Sequence, residues 1–348
     1  MEIYDLLQKD QTLWDLFTRK EEYNSSIRDI HGRYTHSASS NRNIFEPHTS
    51  KYLVEHGYHV EYPEDKPFAV CLTHDIDNIY TPLLKKIDSA KRHLQNGSLE
   101  GFTKSIFQVR SKKLPLGNFN GIIELEKQFD AKSSFYFMAE NLGDEDYEYQ
   151  IEDFESELGN IIDQGCEVGL HGGHTSYCNL EELIFKKERL EKVLHKNAIG
   201  YRNHYLKFKV PETWEYLHGA GFLYDTTFGY ADHIGFRNGM CHPYKPFNLK
   251  KGKPIEILEI PLILMDRTLK SYMNLDPGKA WEATTKIIDT VERYNGVMTL
   301  LWHNTDIFRD QNKFYKRILH YCAKKNAWMT NGEEIFNWVN KSNFFLYN

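Results

Sequence analysis

Two carboxylates one residue apart, Asp75 and Asp77, follow the apolar run FAVCLTH at 68–74. Alternation along an extended chain points both the same way, about 7 Å apart. Two close carboxylates resist joint ionisation unless a cation or separate partners hold them. A metal ligand beside a general base is one division of labour, and a pair of strand-end caps is the plain alternative. His171 and His174 stand in the segment HGGHT, at the end of the run CEVGLH. Neutral imidazoles suit Zn, Co, Ni or Fe, and one carboxylate with two His leaves coordination positions open for water and substrate. The i,i+3 spacing fits one side of a helical turn, whereas Gly172-Gly173 suggests a close-approach loop. Arg202 brings a planar, permanently protonated donor fork, suited to holding Asp75 ionised and oriented. His303 closes the run GVMTLLWH at 296–303, and its ordinary pKa allows proton donation near neutrality.

These residues share a context. Short apolar runs at 68–74, 133–139, 166–171, 198–202, 221–225, 255–262 and 296–303 alternate with amphipathic stretches. Continuous apolar runs predict strands covered on both faces, as in a parallel sheet. The alternation predicts βα units, either open or closed into a barrel. Asn179, with Glu182 at capping-box spacing, starts a helix predicted to reach about 196. In parallel α/β folds the C-terminal strand ends lie on one face, where active sites are built. Reactive residues end nearly every run here: Asp75 and Asp77, His171 and His174, Arg202 with Asn203 and His204, Asp225, and Trp302-His303-Asn304. Residues 1–60 read as a mainly helical extension with an apolar stripe through Leu6, Leu7, Leu13, Trp14, Leu16 and Phe17. The interval after the first strand is too long for one crossover helix, so a helical insertion is expected at about 78–115.

Composition sets the outer bounds. The chain has 348 residues, 43 Lys+Arg against 49 Asp+Glu and a net charge of −6. That disfavours a basic nucleic-acid binder, and 41% hydrophobic residues disfavour global disorder. No apolar run is long enough to span a membrane. The five scattered cysteines form no CxxC pair and read as reduced thiols of a cytoplasmic protein.

Taken in order, the motifs resemble the polysaccharide deacetylase family with the NodB-type fold, carbohydrate esterase family 4 and its relatives, over roughly 67–335. LTHDID matches the family's first motif in its DxD-bearing form. HGGHT matches the second motif, His-Ser/Thr-x-x-His, and YRNHYLKF the Arg-containing third. YDTTFGYAD matches the aromatic fourth region and Leu301-Trp302-His303 the last. The resemblance implies a distorted (β/α)7 barrel over 61–348. It implies Asp75 as general base, Arg202 as its partner and His303 as general acid. A divalent metal, with Zn expected and Co, Ni or Fe as alternatives, would sit on Asp77, His171 and His174. One departure stands out: the family's second His falls four residues after the first, where this chain has Thr175.

The implied activity is hydrolysis of an N-acyl group, above all N-acetyl, from an amino sugar. The absence of an export signal suggests a nucleotide- or lipid-linked sugar of surface-glycan assembly as the small-molecule substrate. Tyr205, Asp225, Tyr230 and Trp302 are the expected substrate contacts, because aromatic rings stack on sugars. Two rival readings stay open: a same-fold amidohydrolase acting on a ureide or formamide, and a non-catalytic carbohydrate-binding protein.

Overall fold

The computed structural model describes residues 3–79, 119–141, 143–144, 147, 149–307 and 313–341. The expected insertion at 78–115 lies almost wholly outside them. The runs become strands β1 (Ala69–Ile76), β2 (Ser134–Met138), β3 (Glu167–Gly172), β4 (Gly200–Asn203), β5 (Tyr224–Asp225), β6 (Leu258–Glu259), β7 (Leu262–Met265), β8 (Val297–Leu301) and β9 (Trp328–Thr330). All pair in parallel, in the order β6-β5-β4-β3-β2-β1-β8-β7. The two ends of this path, β6 and β7, are neighbours in sequence, and the sheet curls into a half-barrel, a distorted form of the expected barrel. The run at 255–262 is therefore two strands broken at Pro261. The short β9, absent from the sequence reading, pairs with Ala69–Cys71 of β1, while β2 takes Thr73–Ile76 of the same strand. Every β1 residue is buried, as expected of a strand covered on both faces.

Helices cover the outside. The capped one spans Leu180–Leu194, where Asn179 Oδ1 accepts from Glu182 N at 3.2 Å. Its Leu183, Leu190 and Leu194 face the core. The others that matter below are the long helix Pro277–Arg293 and the C-terminal helix Gly332–Lys341. Among the described residues, no helix is long and apolar enough to cross a membrane.

The N-terminal extension packs on the barrel. Leu6, Leu7, Trp14 and Phe17 are buried in a cluster with Tyr244, Val297 and Ile335, while Leu13 and Leu16 of the expected stripe are half-buried. A charged clamp fastens it. Glu22, 3% exposed, accepts from Arg19 Nε at 2.8 Å and Arg237 Nε at 3.0 Å. Arg19 Nη1 donates to Arg237 O at 2.7 Å. Burial pushes the Glu22 carboxyl up, but the two guanidinium groups hold it below the usual range. Beyond the clamp, Asp29 and Arg33 close a loop at 2.7 Å. There Arg33 Nη1 donates to Tyr205 O at 3.2 Å and Tyr272 Oη at 3.1 Å.

Candidate active site and metal centre

Strand alternation sorts the first motif. His74 turns to the outer layer, where Nδ1 donates to Trp302 O at 2.7 Å and Nε2 lies 2.8 Å from Glu126 Oε1. Asp75 and Asp77 turn into the barrel mouth, and both are buried. Asp77 Oδ1 lies 3.1 Å from His171 Nε2 and 3.4 Å from His204 Nδ1. The two imidazole nitrogens are 3.1 Å apart. Among the described residues, this is the group of His, Cys, Asp or Glu whose ligand atoms all lie within 4.8 Å of one another. His171 Nδ1 donates to Arg202 O at 3.0 Å. That bond fixes the tautomer and aims the Nε2 lone pair at the centre. Burial alone would raise the Asp77 carboxyl; His204, His171 and His303 hold it well below the usual carboxylate range. One carboxylate and two imidazoles converging on a point fit a divalent ion with open positions.

The third position differs from the sequence expectation, because His204 stands in this group and His174 does not. His174 follows Gly172 and Gly173, whose backbones run too close to their neighbours for a side chain: a Cβ on Gly172 would overlap the Tyr201 hydroxyl. The chain turns away there, and His174 packs tilted against Tyr205 with ring centroids 4.7 Å apart. Burial and nearby His204 and Lys207 push its pKa down to about 4. His204 is delivered instead by the turn after β4, in which Tyr205 takes the left-handed conformation at φ 57.

Around the triad stand further ionisable groups. Asp75 Oδ1 lies 3.8 Å from Arg202 Nη1, and Oδ2 lies 3.8 Å from His171 Nε2. Oδ1 is buried and accepts no hydrogen bond among the described residues, so a lone pair faces the cleft. Arg202 is fully buried; Nε donates to Thr226 Oγ1 and Nη2 to Thr73 Oγ1, each at 3.0 Å. His303 sits opposite, with Nε2 3.6 Å from Asp77 Oδ2. Its Nδ1 donates to Asp266 Oδ1 at 2.7 Å, and its backbone N–H donates to Asp266 Oδ2 at 2.9 Å. Burial disfavours the His303 imidazolium and Arg267 opposes it, yet Asp266 and Asp77 raise its pKa above the usual value. Asp266 was missed in sequence because the run at 255–262 ends too early. The signal that finds it is MDR, directly after the apolar residues of β7.

The cleft is lined by Asp75, Asp77, His204, Tyr205, Arg267 and His303, with Arg33, Leu206, Met265 and Tyr272 at its walls. Of the four expected substrate contacts only Tyr205 lines it. Asp225 is buried and accepts from Thr227 Oγ1 at 2.5 Å, and burial raises its pKa. Tyr230 Oη accepts from Arg19 Nη2 at 3.0 Å, in the clamp of the extension. Trp302 stacks on Phe314 at 5.7 Å in the outer layer. These three side chains are committed to packing and do not reach the cleft.

No protein-family profile matches the chain, and no curated protein does. Solved structures do. A Mycobacterium smegmatis protein described as a polysaccharide deacetylase superimposes with a TM-score of 0.56 at 20% identity, over 82% of this chain and 95% of its own. A family 4 carbohydrate esterase from Streptomyces lividans gives 0.38 at 11% identity, over 75% and 91%. A family 4 pseudoenzyme from Bacillus anthracis gives 0.40 at 12%, over 79% and 66%. The last two are too distant to carry an argument, and the first establishes the architecture. The curled parallel sheet with its ring of helices is the NodB-type fold of the polysaccharide deacetylases.

Proposed function

We propose that the protein is a metal-dependent hydrolase that removes an N-acyl group, N-acetyl above all, from an amino sugar. The observation that carries this reading is the convergence of Asp77, His171 and His204 beside a buried carboxylate with a free lone pair. A divalent ion held by those three supplies Lewis acidity toward the acyl carbonyl. Asp75 takes the proton of the attacking water, and Arg202, 3.8 Å behind its Oδ1, orients it. His303, as imidazolium, gives its Nε2 proton to the leaving amine. Asp266 holds the ring in place and favours the charged form. The test is release of acetate from N-acetylated amino sugars by the protein as purified and after chelation. Turnover that is indifferent to chelation would overturn the metal reading, and activity confined to non-sugar amides would overturn the substrate.

Two predictions follow from the geometry. Wild-type protein should carry about one divalent ion per chain by elemental analysis, and His171→Ala and His204→Ala should each lower that to near zero, since a site reduced to two donors rarely retains metal. His174→Ala should keep the ion; loss of it there would restore His174 as a ligand. Asp266→Asn should cut turnover by about 100-fold. A general acid works only while protonated, so activity falls as pH rises through its pKa. Removing the carboxylate that raises the His303 pKa therefore moves this alkaline limb to lower pH. A limb that stays in place would dissociate Asp266 from the proton donor.

A further inference from the structure

Two arginines, Arg33 and Arg267, line the cleft, and Arg202 stands buried behind Asp75. Arg202 is locked by Thr73 and Thr226 behind Asp75. Arg33 spends its fork on Asp29, Tyr205 O and Tyr272 Oη. Arg267 differs. Its side chain is 41% exposed, and its one ion pair within 4 Å among the described residues is Nη1 to Asp77 Oδ2 at 3.2 Å. No other side-chain hydrogen bond joins it to a described residue, so most of its donor fork is turned to the cleft. The backbone beneath is fixed: Asp266 before it grips His303, and Thr268 Oγ1 after it donates to Ala231 O at 2.8 Å.

Asp77 thus divides its charge. Oδ1 faces the two imidazoles, and Oδ2 faces Arg267 and His303. A cation on the imidazole side draws on the same carboxylate and repels the guanidinium. Asp266, Asp306 and Asp75 attract Arg267 as well, but none pairs with its side chain within 4 Å, and its planar fork matches a carboxylate or a phosphate in bidentate fashion. Its place beside His303 puts that anion on the amine side of the scissile bond, hence on the sugar and not on the acyl group. Resting on the deacetylase reading above, we propose that Arg267 receives an acidic group of the substrate, so that the protein selects an N-acyl amino sugar bearing a carboxylate or phosphate over the neutral sugar.

The test is calorimetric titration of full-length Asp75→Asn protein with one equivalent of Zn2+, so that binding is read without turnover. The probes are N-acetylglucosamine, its 1-phosphate and its uronic acid. An acidic sugar should bind about ten-fold or more tightly than the neutral one, and the better of the two acids identifies the group as phosphate or carboxylate. Adding Arg267→Gln should collapse that ratio to near one, and Arg267→Lys should restore part of it. A merely structural role for Arg267 would weaken all probes alike and leave the ratio standing, which overturns the proposal, as does equal binding of neutral and acidic sugars by the starting protein. Wild-type protein that hydrolyses both kinds equally well removes this inference and leaves the deacetylase reading intact. Binding that depends on Arg267, without hydrolysis of any acylated sugar by wild type, removes the deacetylase reading instead.

Discussion

Asp75→Asn is expected to lower turnover by about 100-fold or more while the bound metal stays in place. The side chain keeps its shape, so packing is preserved. What disappears is the capacity of a buried oxygen to take a proton. Asp75 lies outside the ligand triad, its nearest contact with it being Oδ2 to His171 Nε2 at 3.8 Å. Asp77→Asn serves as the contrast: both metal and turnover should fall, because Asp77 is itself in the triad. Acetate release and elemental analysis on the same preparations separate the two roles. Near-normal turnover in Asp75→Asn would end its assignment as the base. Metal loss in that variant would recast it as a ligand.

The second large effect concerns stability. Glu22→Ala should destabilise the fold by about 3–5 kcal/mol, the range for removing one partner of a buried ion pair. The clamp holds two guanidinium groups, Arg19 and Arg237, around one carboxylate that is almost wholly buried. Arg19 keeps Glu21 as a second carboxylate partner, whereas Arg237 retains Gly229 O at 2.8 Å and the Phe228 and Tyr230 rings at 4.2 and 5.2 Å. Urea unfolding of the wild type and the variant measures the difference. A loss under about 1 kcal/mol would mean that the cluster relaxes toward solvent and behaves as a surface pair.

Much of the site was legible because strand ends announce themselves locally. Asp75, Asp77, His171, Arg202 and His303 each close an apolar run, and the parallel fold carries them to one mouth. Two residues needed geometry that spacing does not hold. His204 reaches the triad only through a left-handed turn at Tyr205. Asp266 was hidden by a strand break at Pro261 inside what reads as one run. The misplaced aromatic has a simpler reason. Trp302 and His303 are adjacent at a strand end, so if one faces the cleft the other faces the outer layer. That alternation was available from the sequence and rules Trp302 out once His303 is placed inside. Asp225 shows the converse limit, since a strand-end carboxylate two residues before Thr227 reads the same whether it faces substrate or a buried hydroxyl.

The sheet order also governs how the molecule emerges from a ribosome. β1 brings Asp75 and Asp77 early, but one edge of that strand waits for β8 and β9, the last strands made. At about 5–20 residues per second, that wait is on the order of tens of seconds, during which an apolar edge stays unpaired. Its other edge can close sooner, because β2, β3 and β4 come before β8 in the chain and pair in series. The three residues of the triad lie on or just beyond β1, β3 and β4, while Asp266 and His303 arrive with the final third of the chain. On the proposed function, a nascent chain would present its three candidate metal ligands well before its candidate proton donor, His303, is made.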